Sequence, residues 1–190
     1  MNDANLSDET LMARYARGDA GAFTALYRRH ELRIWRYIER NVGNRAAAEE
    51  LMQEVWFAVA RDAERYRPTA RFTTWLFTIA RNRMVDAARA RRPHVSLDAL
   101  GSEADAVVER LTADPRASPA AAAEARDQAA ALRQALARLP LEQRDAFLLQ
   151  LEGDLSVEEV AAITRASFET VKSRLRYART RLRELLTEYA

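Results

Sequence analysis

The residues best suited to chemistry in this chain are cations, and they are suited to holding phosphate rather than to making or breaking bonds. Arg165, Lys172, Arg174, Arg176, Arg179, Arg181 and Arg183 crowd one stretch near the C-terminal end, interrupted by a single acid, Glu169. A second set, Arg81, Arg83, Arg89, Arg91 and Arg92, is interrupted only by Asp86. The 190 residues together carry a net charge of only +2, so the rest of the chain is acidic. Such segregation points to two separate anionic contacts. Lys172 is the one lysine among 30 cations, and guanidinium groups suit bidentate phosphate contacts.

Other chemistries are excluded by what the chain lacks. There is no cysteine, which removes disulfides, thiol nucleophiles and thiolate metal sites. The only histidines, His30 and His94, are too few for a metal cluster or a proton relay. No glycine-rich phosphate loop and no nucleophile beside a base is found, so no catalytic residue, metal or cofactor is expected. No run of about 18 apolar residues occurs, and Met1-Asn2-Asp3-Ala4-Asn5 lacks the layout of a signal peptide. A cytoplasmic protein that is not an enzyme is the expectation.

The elements that must position these cations read as all helical. Ser7 is an N-cap for a short helix that ends by Gly18, and Asp19 opens a long one closed by Gly43. A third helix is expected over 45–64, and a fourth from Phe72 to Arg91 before Pro93. From His94 to Ala125 the periodicity lapses among Gly101, Pro115, Pro119 and the acids Asp98, Glu103, Asp105, Glu109 and Asp114. That stretch reads as a flexible acidic linker. Beyond it come a helix over 126–139 and another from Leu141 closed by Gly153. Two small helical domains, 1–93 and 126–190, joined by a linker over 94–125, are therefore expected.

The sharpest local signal is Ser156-Val157-Glu158-Glu159, a capping box. Ser167 is a second N-cap eleven residues later, which leaves about three residues for a turn. Two helices joined that tightly form a helix-turn-helix, spanning about 156–177. In its second helix Val171, Leu175, Ala178, Leu182 and Leu185 make an apolar stripe, while Lys172, Arg176, Arg179 and Arg183 lie on another face. A helix so divided can pack its stripe and present cations to a major groove.

Leu139-Pro140-Leu141-Glu142-Gln143-Arg144-Asp145-Ala146-Phe147-Leu148-Leu149, Leu155 to Ala161 and Thr170-Val171-Lys172-Ser173-Arg174-Leu175 closely resemble region 4 of bacterial sigma factors. The extracytoplasmic-function group of the sigma-70 family is most similar. The resemblance implies that the second helix reads the −35 promoter element, through Arg165, Ser167, Phe168, Glu169, Thr170, Lys172, Ser173, Arg174, Arg176 and Arg179. Arg165 stands where the family often has a turn glycine, so a left-handed residue is expected there. Glu169 stands where a small residue is common, and an acid facing the groove could accept from cytosine N4.

The N-terminal half resembles region 2 of the same family. Ala48 to Trp56 looks like the motif that grips the clamp helices of the polymerase β′ subunit, which implies contacts from Glu49, Glu50, Gln53, Glu54, Trp56 and Phe57. On a helical wheel Glu50, Gln53, Glu54 and Phe57 fall opposite Leu51, Val55 and Val59. Arg65 to Trp75 interleaves cations with aromatics, a mixture that suits single-stranded DNA. The resemblance assigns the −10 element to Arg67, Thr69, Arg71, Phe72, Thr74, Arg81, Asn82, Asp86 and Arg89, while core packing is the expectation for Trp75 and Ile79. It further implies core RNA polymerase, through its β and β′ subunits, promoter DNA and an anti-sigma factor as partners, and the transcription of promoters as the role. Two other classes compete: a dimeric helix-turn-helix regulator that reads duplex DNA without acting as a sigma subunit, and a helical adaptor whose basic helix binds an acidic protein.

Overall fold

Ser7, Asp19 and Asn44 each start a helix by the same device, a side-chain oxygen that accepts from a backbone N–H three residues on. The partners are Thr10 at 3.2 Å, Ala22 at 3.3 Å and Ala47 at 2.9 Å. Each removes one unsatisfied donor from a helix end. The computed structural model describes residues 5–90 and 119–187, with side chains from 124 onward in the second stretch. Every long element among the described residues is an α-helix. In the first stretch these are α1 (Asp8–Tyr15), α2 (Ala20–Val42), α3 (Arg45–Arg61) and α4 (Phe72–Ala90); in the second, α5 (Pro119–Ala137), α6 (Leu141–Gly153), α7 (Val157–Thr164) and α8 (Phe168–Thr187).

Most boundaries fall where caps were expected, and the departures have local causes. The third helix stops at Arg61, with a short 3₁₀ turn over Ala63–Arg65. The expected linker lies outside the described residues as far as 118. From Pro119 the chain is already helical, earlier than the expected start at Arg126. Proline suits a first helical position, and the alanines at 120–123 are the best helix formers. Gly153 does not close α6 in the manner expected; Asp154 does, in the left-handed region at φ 51°. Gly153 is required for space instead, since a Cβ there would stand 2.7 Å from Leu155 Cγ.

In the first stretch α1 packs on α2, α2 on α3 and α3 on α4. Tyr15, Phe23, Tyr27 and Trp56 form a chain of ring contacts, and Phe72 contacts His30, Tyr66 and Trp75. His30 is buried with Nε2 2.8 Å from Asp8 Oδ2, so its role is to tie α1 to α2. The N-terminus of α4 is capped from outside: Phe72 N–H donates to Glu9 Oε1 at 2.9 Å.

The two stretches pack against each other. α2 and α4 lie on α6, α4 also touches α7, and α5 rests on α2 and α8. One continuous set of buried side chains runs through both, including Tyr37, Phe77, Leu148, Leu149, Val160 and Ile163. A row of polar contacts rims that apolar seam. Asp145 accepts from Tyr37 Oη at 2.7 Å and from Arg81 Nε at 2.8 Å. Glu152 accepts from Arg40 at 2.5 Å, and Arg33 donates to its backbone carbonyl at 2.6 Å. Arg144 donates to the Asn41 carbonyl at 2.9 Å.

Candidate nucleic-acid interface

The helix-turn-helix is built as its sequence dictates. Glu159 N–H donates to Ser156 Oγ at 3.2 Å, and Ser156 N–H donates to Glu159 Oε2 at 2.9 Å, completing the capping box. Arg165 takes the left-handed conformation at φ 55°, ψ 38°, the geometry a turn glycine supplies more cheaply. Ser167 Oγ then accepts from Thr170 N–H at 3.2 Å and starts α8. Val171, Leu175, Ala178, Leu182 and Leu185 are all buried, so the expected stripe does face the interior.

That packing fixes what α8 leaves outside. Arg165, Ser167, Phe168, Glu169, Thr170, Lys172, Arg176 and Arg179 are exposed, and Ser173 and Arg174 are half-buried. The ten candidates for the −35 element thus lie at the turn and around the part of α8 that the buried stripe leaves, with Ser173 and Arg174 partly covered. Lys172 Nζ sits 5.9 Å from the Phe168 ring centroid, which holds the ammonium near the leading end of the helix. Arg179 donates to Gln150 on α6, which fixes its guanidinium at the edge of this face. Sequence reasoning passed over Tyr177, which is 53% exposed with the Arg176 guanidinium 4.9 Å from its ring centroid. An aromatic lying off the apolar stripe was the available signal.

The −10 candidates separate into three groups. Asn82, Asp86 and Arg89 are exposed on α4, and Arg67 and Thr69 are exposed in the preceding loop. Phe72 is 0% exposed, so its side chain belongs to the core and is not presented to a base. Its place at the first turn of α4, against His30, Tyr66 and Trp75, explains that burial. Thr74, Arg71 and Arg81 are turned toward the C-terminal half. Thr74 Oγ1 donates to Glu159 Oε1 at 2.5 Å, and Arg71 Nη1 is 3.7 Å from Glu159 Oε2. Burial pushes the Glu159 carboxyl up, but the bonds from Thr74 and Ser156 and the charge of Arg71 outweigh it and hold the group below the usual range. Arg81 is engaged by Asp145 and reaches the Ile163 carbonyl at 3.4 Å.

The third surface is the outer face of α3. Glu49, Glu50, Gln53 and Glu54 are exposed, and Phe57 is 70% exposed, a large apolar side chain beside acids and an amide. Arg45 pairs with Glu49 at 2.9 Å along the helix. Trp56 does not share this face. It is 6% exposed, edge-on to Phe23 and tilted against Tyr27, because its position falls on the buried side with Val55 and Val59. Among the described residues no group of histidine and acidic side chains has metal-site geometry, and no helix is long and apolar enough to cross a membrane.

Comparison with known proteins bears on the whole arrangement. The chain matches the family model of Sigma-70 region 2 over residues 26–94 and that of Sigma-70, region 4 over residues 129–182. It is 36% identical to the RNA polymerase sigma factor CarQ of Myxococcus xanthus, over 93% of this chain and 96% of that protein. It is 32% identical to the ECF RNA polymerase sigma factor RpoE of Cereibacter sphaeroides, over 87% of each. In fold it is similar to CnrH, solved in complex with the cytosolic domain of CnrY, with a TM-score of 0.68 at 23% identity over 96% of this chain and 99% of that one.

Proposed function

We infer the roles of these surfaces from one premise: the chain belongs to the extracytoplasmic-function group of the sigma-70 family. It is a sigma factor that binds core RNA polymerase, recognises −35 and −10 promoter elements and promotes initiation. The regulator that reads duplex DNA alone does not account for a likeness to sigma factors that spans both halves.

The observation that carries it is the leading end of α8, where its cap Ser167 and then Thr170 and Lys172 stand exposed outside a buried stripe. Phosphate contacts from Lys172, Arg176 and Arg179 would fix register on the −35 duplex, and short polar groups with Arg174 and Glu169 would read base edges. The α3 face, four polar side chains around Phe57, would dock on a basic partner helix of the polymerase, with Trp56 supporting it from behind. In the N-terminal half, Asn82, Asp86 and Arg89 would meet the −10 element first. Arg71, Thr74 and Arg81 would join once freed from the C-terminal half. Extruding a base costs a few kcal/mol, which stacking and strand contacts must offset. The factor performs no covalent step of its own; the polymerase does. It works in the cytoplasm, under an anti-sigma protein.

Run-off transcription from genomic fragments, with sigma-free core polymerase, tests the reading. New start sites that share −35 and −10 elements are expected, and Lys172→Ala with Arg174→Ala should remove them. Starts that persist unchanged in that double variant would detach α8 from the −35 element.

A further inference from the structure

The start of α4 is capped by a residue far away in the chain. Ser7, Asp19, Asn44, Ser156 and Ser167 each start a helix locally, accepting from the backbone N–H three residues on. The residue before α4 is Arg71, whose guanidinium can only donate. The first N–H of α4, on Phe72, donates instead to Glu9 Oε1 of α1 at 2.9 Å, across 63 positions. A cap borrowed in this way fixes where α4 begins relative to α1, which a local cap does not.

α1 is itself firmly held. Asp8, next to Glu9, accepts from Arg29 at 2.5 Å and lies 2.8 Å from His30 Nε2, and Arg29 also donates to the Leu6 carbonyl at 2.9 Å. The two adjacent acids therefore face two ways, Asp8 to α2 and Glu9 to α4. α1 also packs on the 3₁₀ turn over Ala63–Arg65, at the other end of the loop over 66–71. Burial pushes the Tyr66 phenol up to about 12, and the Glu9 carboxylate is the next cause. Glu9 thus acts at both ends of the loop that carries Arg67 and Thr69, which are exposed. Inside the loop Thr69 N–H donates to the Arg67 carbonyl at 2.8 Å, and Arg67 Nη1 donates to the Glu64 and Tyr66 carbonyls at 3.1 and 3.0 Å. Those bonds shape the loop, and Glu9 ties its far end to the body of the N-terminal half.

We propose that Glu9 is a positioning residue for the −10 element: by capping α4 from α1 it holds the loop over 66–71 in the geometry that presents Arg67 and Thr69 to the single strand. The proposal rests on the −10 assignment above. Glu9 acts through the backbone of Phe72. Without it the loop keeps its side chains but spreads over more conformations, and apparent affinity falls with the competent fraction.

Holoenzyme assembled from core polymerase and the full chain is tested on promoters that the run-off experiment returns. The probe is a fork junction, duplex through the −35 element with the −10 non-template strand left single. Its counterparts carry a scrambled −10 strand or a scrambled −35 duplex. Glu9→Ala should lower the preference for the −10 strand about fivefold, the population change that one helix cap is worth, and leave the −35 preference unchanged. Glu9→Gln keeps the acceptor oxygen and should behave as the unmodified chain. Asp19→Ala removes the cap of α2 and the acceptor for Arg14, away from every proposed contact. It should lower the melting temperature without changing the −10 preference. Hydrogen exchange of the full chain should quicken over 66–75 in Glu9→Ala and not in Asp19→Ala, a reading of the loop that needs no polymerase. An unchanged −10 preference or unchanged exchange in Glu9→Ala, an equal loss of preference in Asp19→Ala, or a loss in Glu9→Gln as large as in Glu9→Ala would overturn the proposal. Arg67→Ala with Thr69→Ala tests the assignment beneath it: a full −10 preference in that double variant would remove the loop from the −10 site, and the role of Glu9 with it.

Discussion

Arg40→Ala tests the seam between the halves where its electrostatics are most exacting. Glu152 is 6% exposed, and its Oε1 accepts from Arg40 Nη1 at 2.5 Å. Burial pushes the Glu152 carboxyl above its ordinary range, and Arg40 is the largest of the three cations that oppose this, ahead of Arg36 and Arg33. Removing one partner of a buried pair typically costs about 3–5 kcal/mol, because the other charge stays buried and uncompensated. Arg36 and Arg33 remain, so a loss near the lower end, about 3 kcal/mol, is expected. The pH dependence has a definite sign. A carboxyl whose folded pKa lies above its unfolded value costs stability above the unfolded pKa, and that cost is relieved as pH falls through the folded value. Without Arg40 the folded value rises further, so the variant's deficit should be largest near neutrality and smaller at about pH 5. Urea unfolding followed by circular dichroism at the two pH values measures both. A deficit below about 1 kcal/mol, the size of an exposed pair, would refute the buried-pair argument, and so would a deficit that did not shrink in acid.

Three further outcomes are expected from the geometry. Lys172→Ala and Arg176→Ala should each flatten the salt dependence of −35 duplex binding by about 0.9 in logarithmic slope if each neutralises one phosphate, which titration at several salt concentrations measures. Phe57→Ala should weaken binding to core polymerase and leave the melting temperature unchanged, while Trp56→Ala should cost about 3–5 kcal/mol of stability as a core cavity; thermal melts and polymerase pull-downs separate the two. Arg165→Gly should stabilise the chain by about 1 kcal/mol, since the left-handed turn then carries no Cβ penalty, as read from the urea midpoint.

Local chemistry was legible in the sequence, and long-range contact was not. Ser7, Asp19, Ser156 and Ser167 announced helix starts because each cap involves residues three apart, within reach of a pattern. The left-handed turn at Arg165 followed from spacing and resemblance alone. The wheel separated Phe57 from Val55 and Val59, yet Trp56 sits between them and was placed outside when its ring lies inside. Phe72 misled for the same reason: cations interleaved with aromatics look alike whether the rings stack on bases or on His30, Tyr66 and Trp75. The cap that Glu9 gives to α4 and the bonds of Asp145 join residues more than sixty positions apart. No periodicity carries that information, so the seam between the halves had no sequence signature.

Glu159 shows how such a long-range contact can be added at little cost to a local one. Its Oε2 completes the capping box with Ser156, and its Oε1 accepts from Thr74 on α4. The first bond is local to the start of α7; the second uses the oxygen that the box leaves free. Because the two bonds use different oxygens, parting the halves removes the second without uncapping α7. The helix-turn-helix therefore keeps its geometry whether or not it rests on α4. Asp145 differs: both its oxygens are committed to the N-terminal half, to Tyr37 and Arg81, and none to its own helix. A charge change at Asp145 acts on the seam alone, whereas one at Glu159 acts on the seam and the turn together. Stability of the helix-turn-helix should thus track substitution at Glu159 and be insensitive to substitution at Asp145, a distinction that follows from which oxygen each donor takes.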